Sequence, residues 1–390
     1  MNNLAEQYKI IQHFTRQYAG EGDLEQARAA VSAIMPVAEK GNAKAQYMLG
    51  KYYSWGFHDD SDNKKAIYWF EKAADNGNEK AAEALTNLYR YDFTDDAIEA
   101  RTKKAFVLKW HKRWIAILEE KAAKDIAGSA QALMNLYVND CPDDIDPEKG
   151  VEIARKWYDR WIEILKAKAD KGDMSAKKKL ADILYYGTGV PDEVLELTED
   201  DDTDTSEDNA AALYSEVAVG ENDAEGWCNL GQIYSQSEAD WQQSLDCYMK
   251  AAALGYKEAY RCVGSAYFEG RGVEKDMEKA REWYRKGAEA GDVLAQLMLA
   301  DCYKRGLGGE KDYTATMELY RQIAARSNLR KKYVHELGTA QYEIGNMYMK
   351  GLGVEADLRQ AYDWFRLAAG NCNLAAENAL NSKKFRDFKK

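Results

Sequence analysis

Prolines are scarce in this sequence, with four among 390 residues, while 46% of the residues are apolar. Because proline interrupts helices, this composition suits a soluble protein that is helical along most of its length. No run of about 18 apolar residues occurs, so we expect no membrane-spanning helix. Met1 to Phe14 is polar and charged, without the apolar segment of a signal peptide, so we expect no signal peptide either.

The sequence also has fewer positively charged than negatively charged residues. The chain has 54 Lys and Arg against 66 Asp and Glu, which gives a formal net charge of −12. Since the phosphates of a nucleic acid repel an acidic protein, this balance argues against a nucleic-acid partner.

One segment, Gly255 to Gly291, contains the unit from which most of the chain is built. Small and apolar residues recur there at spacings of three and four, which predicts two short helices with one apolar face each. Gly270 and Gly272 separate the two stretches, and Asp276 is placed to cap the second helix. Neither face can be buried within one unit, so the unit is expected to stack on copies of itself.

Copies of this unit recur along the chain. A marker residue begins each copy, followed by an apolar residue four positions later and in most copies by Tyr eight positions later. The markers are Ala45, Ala81, Ser129, Ala176, Gly226, Ala259, Ala295, Ala340 and, for a final half-copy, Ala376. The intervals between them are 36, 48, 47, 50, 33, 36, 45 and 36 residues. A period near 36 with local insertions indicates a helical solenoid.

The pattern resembles that of the Sel1-like repeat family, a branch of the TPR-type α-solenoids. Residues 255–290 and 337–370 match it best, and 41–77 also fit, although Phe57-His58-Asp59 replaces the turn. In the second of these segments the matching residues are Gly345, Tyr348, Gly351, Gly353, Ala361, Trp364, Ala368 and Ala369.

The resemblance implies an all-α fold, a right-handed superhelical solenoid of about eight helix pairs. It implies a concave surface, lined by the first helix of each pair, that binds another protein or peptide. We expect no cofactor, no metal and no catalytic residues. Secreted members of the family are stapled by disulfides at regular positions, whereas the six cysteines of this chain share no repeat phase. We therefore expect reduced thiols and a cytoplasmic protein.

The chain is expected to have two parts. Residues 1–40 form a divergent N-terminal capping helix pair, and 41–390 form the repeat array. The array is predicted to carry longer helices at 101–125 and 148–172, an acidic loop at 192–208 and a basic insertion at 327–336.

Two of these features allow two interpretations. The long helices carry Trp110 and Trp114 or Trp157 and Trp161, which either pack between the two helices or form a second contact surface. The acidic run has ten acidic residues among 17 and no Gly, so a calcium loop is not expected. It is predicted to be a solvated, flexible loop, or alternatively an attractant for a basic partner.

Catalytic signals are weak. The four histidines lie in unrelated repeats, where surface or packing roles are expected: His13, His58, His111 and His335. Ser175-Ala-Lys-Lys178 and Ser61-Asp-Asn63 match two of three β-lactamase signatures, but in reversed order and without the third. The recurring Gly-x-Gly pairs follow a helix and not a strand, so we interpret them as turns and not phosphate loops.

Candidate binding residues lie two, six, nine and ten positions after the markers, on the face of each first helix that is opposite to its predicted core residues Ala45, Leu49 and Tyr53. Aromatic and Arg side chains recur there, and both are enriched at binding hot spots. Alternatively, each aromatic packs over the seam between helices. The predicted residues are Tyr47, Lys51, Trp55, Asn87, Arg90, Tyr91, Asp182, Tyr185, Tyr186, Arg261, Phe268, Asp301, Lys304, Arg305, Tyr342 and Asn346.

The sequence therefore predicts a scaffold or adaptor that binds a partner protein or peptide, without a membrane or nucleic acid. A second hypothesis is an immunity or antitoxin protein that holds a bacterial toxin or effector inactive. A third, from a different class, is a hydrolytic enzyme.

Overall fold

A computed structural model describes residues 4–15, 21–55, 62–92, 100–197, 203–326, 333–382, 384–385 and 388. Within these ranges the regular structure is helical and there are no strands. The first ten helices are α1 (Leu4–Phe14), α2 (Glu21–Glu39), α3 (Ala43–Ser54), α4 (Asn63–Asp75), α5 (Glu79–Asn87), α6 (Ala100–Ala123), α7 (Ala127–Asn139), α8 (Pro147–Ala169), α9 (Met174–Tyr186) and α10 (Asp192–Leu195). The others are α11 (Thr203–Gly220), α12 (Ala224–Tyr234), α13 (Trp241–Ala253), α14 (Lys257–Glu269), α15 (Met277–Glu289), α16 (Val293–Arg305), α17 (Tyr313–Ala324), α18 (Val334–Lys350), α19 (Leu358–Ala369) and α20 (Leu374–Leu380).

The chain divides into two compact units. The first contains residues 1–176 and 186–203, and the second contains 177–185 and 204–390. In each unit the helices form antiparallel pairs that pack on the next pair along the chain, such as α3 with α4 and α14 with α15. The fold is an all-α solenoid of helix pairs, as the sequence predicts.

The turn inside the repeat unit is held by one aspartate. The backbone N–H of Asp276 donates a hydrogen bond to the carbonyl of Tyr267 (2.9 Å), which closes the loop between α14 and α15. The carboxylate of Asp276 accepts from the N–H groups of Glu278 and Lys279, and it thereby caps α15. The same Asp–Tyr backbone bond recurs at Asp62–Tyr53, Asp312–Tyr303 and Asp357–Tyr348.

A glycine of the first helix makes room for an aromatic ring of the second. A Cβ atom on Gly264 would lie 2.7 Å from the ring of Tyr284, which is almost fully buried. The ring therefore occupies the space that any larger residue would need. Equivalent pairs are Gly50–Phe70, Gly231–Tyr248 and Gly345–Phe365.

The Gly-x-Gly turns also join neighbouring repeats. Gly270 ends α14 in the left-handed region at φ 81°, where glycine is favoured. Gly272 has φ 67°, and a Cβ there would lie 2.3 Å from the carbonyl oxygen of Trp241, at the start of the preceding second helix. The interpretation as packing turns is confirmed for this pair.

The prediction of a loop at 192–208 is wrong for both ends of the segment, which are helical. Its first residues form α10, in which Val194 is fully buried, and Arg155 Nη1 donates a hydrogen bond to the carbonyl of Leu197 (2.6 Å). Its last residues, from Thr203 onward, begin α11. Residues 198–202 lie outside the described part of the chain.

Several other predictions need correction. The end of the basic insertion 327–336 is helical, because α18 begins at Val334, while its basic residues lie outside the described ranges. Trp110, which the sequence predicts to pack between the two long helices or to form a contact surface, packs in one cluster with residues of α4 and α5. Among the core residues proposed for the first repeat, Ala45 and Leu49 are buried, but Tyr52 is buried more deeply than Tyr53.

The helices α6 and α8 have 24 and 23 residues, against 12 or 13 in α4, α13, α15, α17 and α19. Among the residues that the structure describes, none of the helices has the length and apolar character needed to cross a membrane.

Candidate functional site

We call the sixteen predicted binding residues the first-helix face. Twelve of them are half-buried, three are exposed (Asn87, Tyr186 and Arg305), and the side chain of Tyr91 lies outside the described part of the structure. Most of the described side chains on this face are therefore partly covered by their neighbours and partly in contact with solvent. Each unit contributes its own part of the face.

Two tyrosines rest on the aromatic rings that fill the glycine spaces. The ring of Tyr47 lies 5.9 Å from that of Phe70, and the ring of Tyr342 lies 5.5 Å from that of Phe365, both tilted by 43°. Both tyrosines lie two positions past their markers, so one packing motif recurs in two repeats. Burial raises the pKa of Tyr47, with a smaller contribution from Glu83. These rings are fixed at the edge of the core.

The part of the face on α9 is held by polar contacts. Tyr185 accepts a hydrogen bond from Gln236 Nε2 (2.6 Å), which joins α9 to the segment after α12. Tyr214, which is fully buried on α11, donates its hydroxyl to Asp182 Oδ1 (2.7 Å). Burial raises the pKa of Asp182, although the hydrogen bond from Tyr214 opposes this. Asp182 is thus turned toward the second helix of its own pair, which does not fit an outward binding role.

Ion pairs connect successive first helices in the second unit. Lys178 Nζ lies 2.8 Å from Asp223 Oδ2 and 2.6 Å from Glu225 Oε2, at the start of α12. The same position of α14 is occupied by Arg261, whose Nε lies 3.7 Å from the capping Asp292 at the start of α16.

A further bridge connects α16 to α18. Lys304 Nζ lies 3.3 Å from Glu343 Oε2, and Arg305 pairs with Asp301 at 3.0 Å on its own helix. Lys304 and Arg305 are therefore held in place by contacts within the second unit.

The first unit contains a buried histidine beside the face. Arg90 Nη1 hydrogen-bonds Asp140 Oδ1, and Asp140 Oδ2 lies 3.9 Å from Nε2 of His111. His111 is 1% exposed and its ring stacks on Trp114 at 5.9 Å. Burial lowers the pKa of His111, although the Asp140 carboxylate raises it in part. His111 therefore has a packing role, which is one of the two roles that the sequence predicts for its histidines.

The predicted binding residues form small groups, and the prediction did not include several residues that make equivalent contacts. Tyr47 contacts both the α1–α3 core and the α4–α6 core, while Phe268 packs at the edge of the cluster around Tyr284. The missed residues include Lys178 and its partner Asp223. A signal for this pair exists, because Lys178 lies two positions past its marker, as Arg261 does, and an N-cap Asp precedes the next marker in both cases.

The short catalytic matches have structural explanations. Lys178 of the Ser-x-x-Lys match is engaged by Asp223 and Glu225. Asp62 of the Ser-Asp-Asn match caps α4 by accepting from the N–H groups of Lys64 and Lys65. Across the described residues, His, Cys, Asp and Glu form no group that could hold a metal ion.

The Sel1 repeat family model matches residues 43–78, 258–292, 293–328 and 338–371. A Sel1 repeat protein from Oxalobacter formigenes has a similar structure, with a TM-score of 0.57 and 19% identity over 95% of this chain and 93% of that one. At that identity the likeness concerns the fold alone.

Two further solved structures align with lower scores. One is a protective antigen of uropathogenic Escherichia coli with an SLR fold, at 22% identity over 99% of this chain and 90% of that one, with a TM-score of 0.33. The other is a sel1 repeat protein of Klebsiella pneumoniae subsp. pneumoniae, at 18% identity over 58% of this chain and 98% of that one, with a TM-score of 0.34. No curated protein matches the sequence.

Proposed function

We propose that this chain, an all-α solenoid of helix pairs in which four Sel1 repeats are found, is a scaffold that binds another protein or peptide through the first-helix face. The observation that carries the proposal is the set of half-buried aromatic side chains on this face. Tyr47, Tyr185 and Tyr342 are each fixed by a contact with a neighbouring helix or loop and still reach solvent.

Fixed aromatic side chains are suited to binding. A tyrosine that is already held by packing loses little conformational entropy when a partner covers it, and it offers both an apolar face and a hydroxyl group. Such residues are enriched among binding hot spots. The bridges from Lys178 and Lys304 to the next first helix fix the spacing between repeats, so the face is ordered before binding.

The proposed test is an affinity purification from the native host with a matched pair of variants. Tyr185→Ala with Tyr186→Ala removes aromatic area from α9 on the proposed face. Tyr68→Ala is the control. It removes an aromatic side chain that is 52% exposed, similar to the 46% of Tyr186, but that lies on α4, the second helix of its pair. A specific partner should be enriched by the wild type and by Tyr68→Ala but not by the double variant. Equal enrichment by all three would contradict the proposed location.

A narrower candidate is neutralisation of a basic toxin or effector. The acidic residues of α10 are fixed to the first unit, because Val194 is buried and the carbonyl of Leu197 accepts from Arg155. An acidic surface that is anchored in this way suits a basic partner. For such a partner, replacing Asp192, Glu193 and Glu196 by the corresponding amides should weaken binding at low salt and have little effect at high salt. A salt-independent affinity would contradict this candidate.

We also propose a cytoplasmic location. All six cysteines are among the described residues, and each is a free thiol. Free thiols in this number suit a reducing compartment. Fractionation of the native host, followed by detection of the protein, tests this location.

A further inference from the structure

Two cysteines from neighbouring repeats lie together in the second unit. Cys228 is on α12 and Cys262 is on α14, and both belong to the apolar cluster that contains Ala259 and Val263. Cys228 is buried and Cys262 is partly buried. The two thiols are close enough to affect each other's ionisation. A thiol pair therefore connects the first helices of two consecutive repeats.

The surroundings of Cys262 stabilise a thiolate. Three groups lie near its sulfur: the thiol of Cys228, the hydroxyl of Tyr248 and the guanidinium of Arg261. The interaction with the Cys228 thiol lowers the pKa of Cys262, in spite of burial, and raises that of Cys228. Burial instead raises the pKa of Cys247 and of Cys302 to about 11. Since the thiolate is the reactive form, Cys262 differs chemically from these two thiols.

A cavity gives small molecules access to Cys262. It has a volume of about 120 Å³ and is lined by Cys262, Arg261, Tyr248 and three serines, among other residues. A water molecule occupies roughly 30 Å³ in the liquid, so the cavity has room for a peroxide but not for the active site of another protein. Arg261, whose Nε lies 3.7 Å from the Asp292 carboxylate, places a positive charge at the wall of this cavity.

We propose that Cys262 and Cys228 form a redox-active pair, in which a small hydroperoxide oxidises Cys262 and Cys228 then closes a disulfide between α12 and α14. The Cys262 thiolate attacks one peroxide oxygen, the O–O bond breaks, and the departing alkoxide or hydroxide takes up a proton. The sulfur, oxidised by two electrons, becomes a sulfenic acid. The sulfur of Cys228 then attacks it, an S–S bond forms, and the S–O bond breaks. The hydroxide leaves as water with the proton of the Cys228 thiol.

The disulfide would link two first helices that belong to the proposed binding face. Oxidation would therefore restrict movement between these two repeats, and reduction would restore it. The chemistry is independent of the proposed protein-binding function, so each can fail without the other.

The first test uses the full-length wild-type protein and limited hydrogen peroxide. After oxidation, the protein is unfolded and its remaining thiols are alkylated, and the cysteines are then assigned by peptide mass spectrometry. We expect Cys228 and Cys262 to escape alkylation as one cross-linked peptide, with the loss of two hydrogen atoms. We also expect Cys262 to be oxidised about tenfold faster than Cys302. Equal oxidation of Cys262 and Cys302, or a cross-link that joins other cysteines, would overturn the proposal.

Two variants separate the two steps. In Cys228→Ser the sulfenic acid should persist at Cys262, where unfolding in the presence of dimedone traps it. In Cys262→Ser the thiol of Cys228 should stay reduced. Cys302→Ser is the control and should form the cross-link at the wild-type rate. Circular dichroism confirms folding of each variant, and the wild-type experiment decides the question if one does not fold. A folded Cys228→Ser protein without a dimedone adduct at Cys262 would refute the assigned order of reaction.

Discussion

The space opposite Gly264 provides a test of how the repeat is packed. An ideal Cβ at this position would lie 2.7 Å from Cδ1 and Cε1 of Tyr284 and 3.3 Å from the carbonyl oxygen of Ala280. Tyr284 is 2% exposed and its hydroxyl lies 3.2 Å from Ser265 Oγ, so the ring has little freedom to move away. Gly264→Ala should therefore strain the contact between α14 and α15.

Gly128→Ala is the matched control. Gly128 is also helical, but a Cβ there would have no atom within 4 Å. Replacing glycine by alanine in a helix stabilises it by up to about 1 kcal/mol, whereas inserting a methyl group into a packed core costs about 1–3 kcal/mol. We expect Gly264→Ala to lower the free energy of unfolding by about 1–2 kcal/mol, and Gly128→Ala to leave it unchanged or raise it by about 0.5–1 kcal/mol.

The assay must be local, because repeat arrays need not unfold in a single step. Hydrogen exchange of peptides from α14 and α15, measured by mass spectrometry, reports the stability of this pair. A loss of 1–2 kcal/mol corresponds to exchange that is about 5–30 times faster. The rate of hydrogen exchange is compared between each variant and the wild type, in the helix that carries the substitution. If Gly264→Ala and Gly128→Ala change this rate in the same direction and by the same factor, the ring of Tyr284 does not fill the space opposite Gly264.

Three further predictions follow from individual contacts. Asp276→Ala should destabilise α15 by about 1 kcal/mol, because this helix loses its N-terminal cap. Unchanged amide protection at the start of α15 would contradict the capping role. Lys178→Met should cost about 1 kcal/mol at low salt, because the ion pair is half-exposed; the difference from the wild type in urea denaturation should shrink in concentrated NaCl. Burial lowers the pKa of His111, so the unfolded chain takes up its proton first as the pH falls through about 6.5. The wild type should lose stability below that pH, His111→Asn should lose less, and His335→Asn, which changes an exposed residue, should behave as the wild type; equal slopes for all three would refute the assignment.

The periodic part of the fold could be predicted from the sequence, because each repeat repeats the same physical requirements. Spacings of three and four define a buried face, the Gly-x-Gly turn ends the first helix, and an aspartate such as Asp276 begins the second. The space at Gly264 is consistent with the small residue found five positions after the marker. These features are local, so a single sequence reveals them.

Features that depend on contacts between repeats were harder to predict. The acidic run suggested a loop, yet burial of Val194 holds its first residues in α10. Asp182 occupies an outward position by helix geometry, but the hydroxyl of Tyr214 draws it inward. Cys228 and Cys262 have different phases relative to their markers, and only the packing of α12 near α14 brings them together. Pairings of this kind depend on how neighbouring helices are set against each other, which the repeat pattern alone does not determine.

The affinity of a purified partner for the Tyr185→Ala, Tyr186→Ala double variant tests the central claim most directly. The partner is the protein retained by the wild type in the affinity purification, its dissociation constant is measured by calorimetry, and the melting temperature is recorded on the same samples. If the partner binds to the first-helix face, the double variant should lose about 2 kcal/mol or more of binding free energy, which is roughly a 30-fold weaker affinity. Its melting temperature should be almost unchanged. A loss of about 3 kcal/mol in stability, with binding retained by the folded fraction, would instead assign these tyrosines to the core.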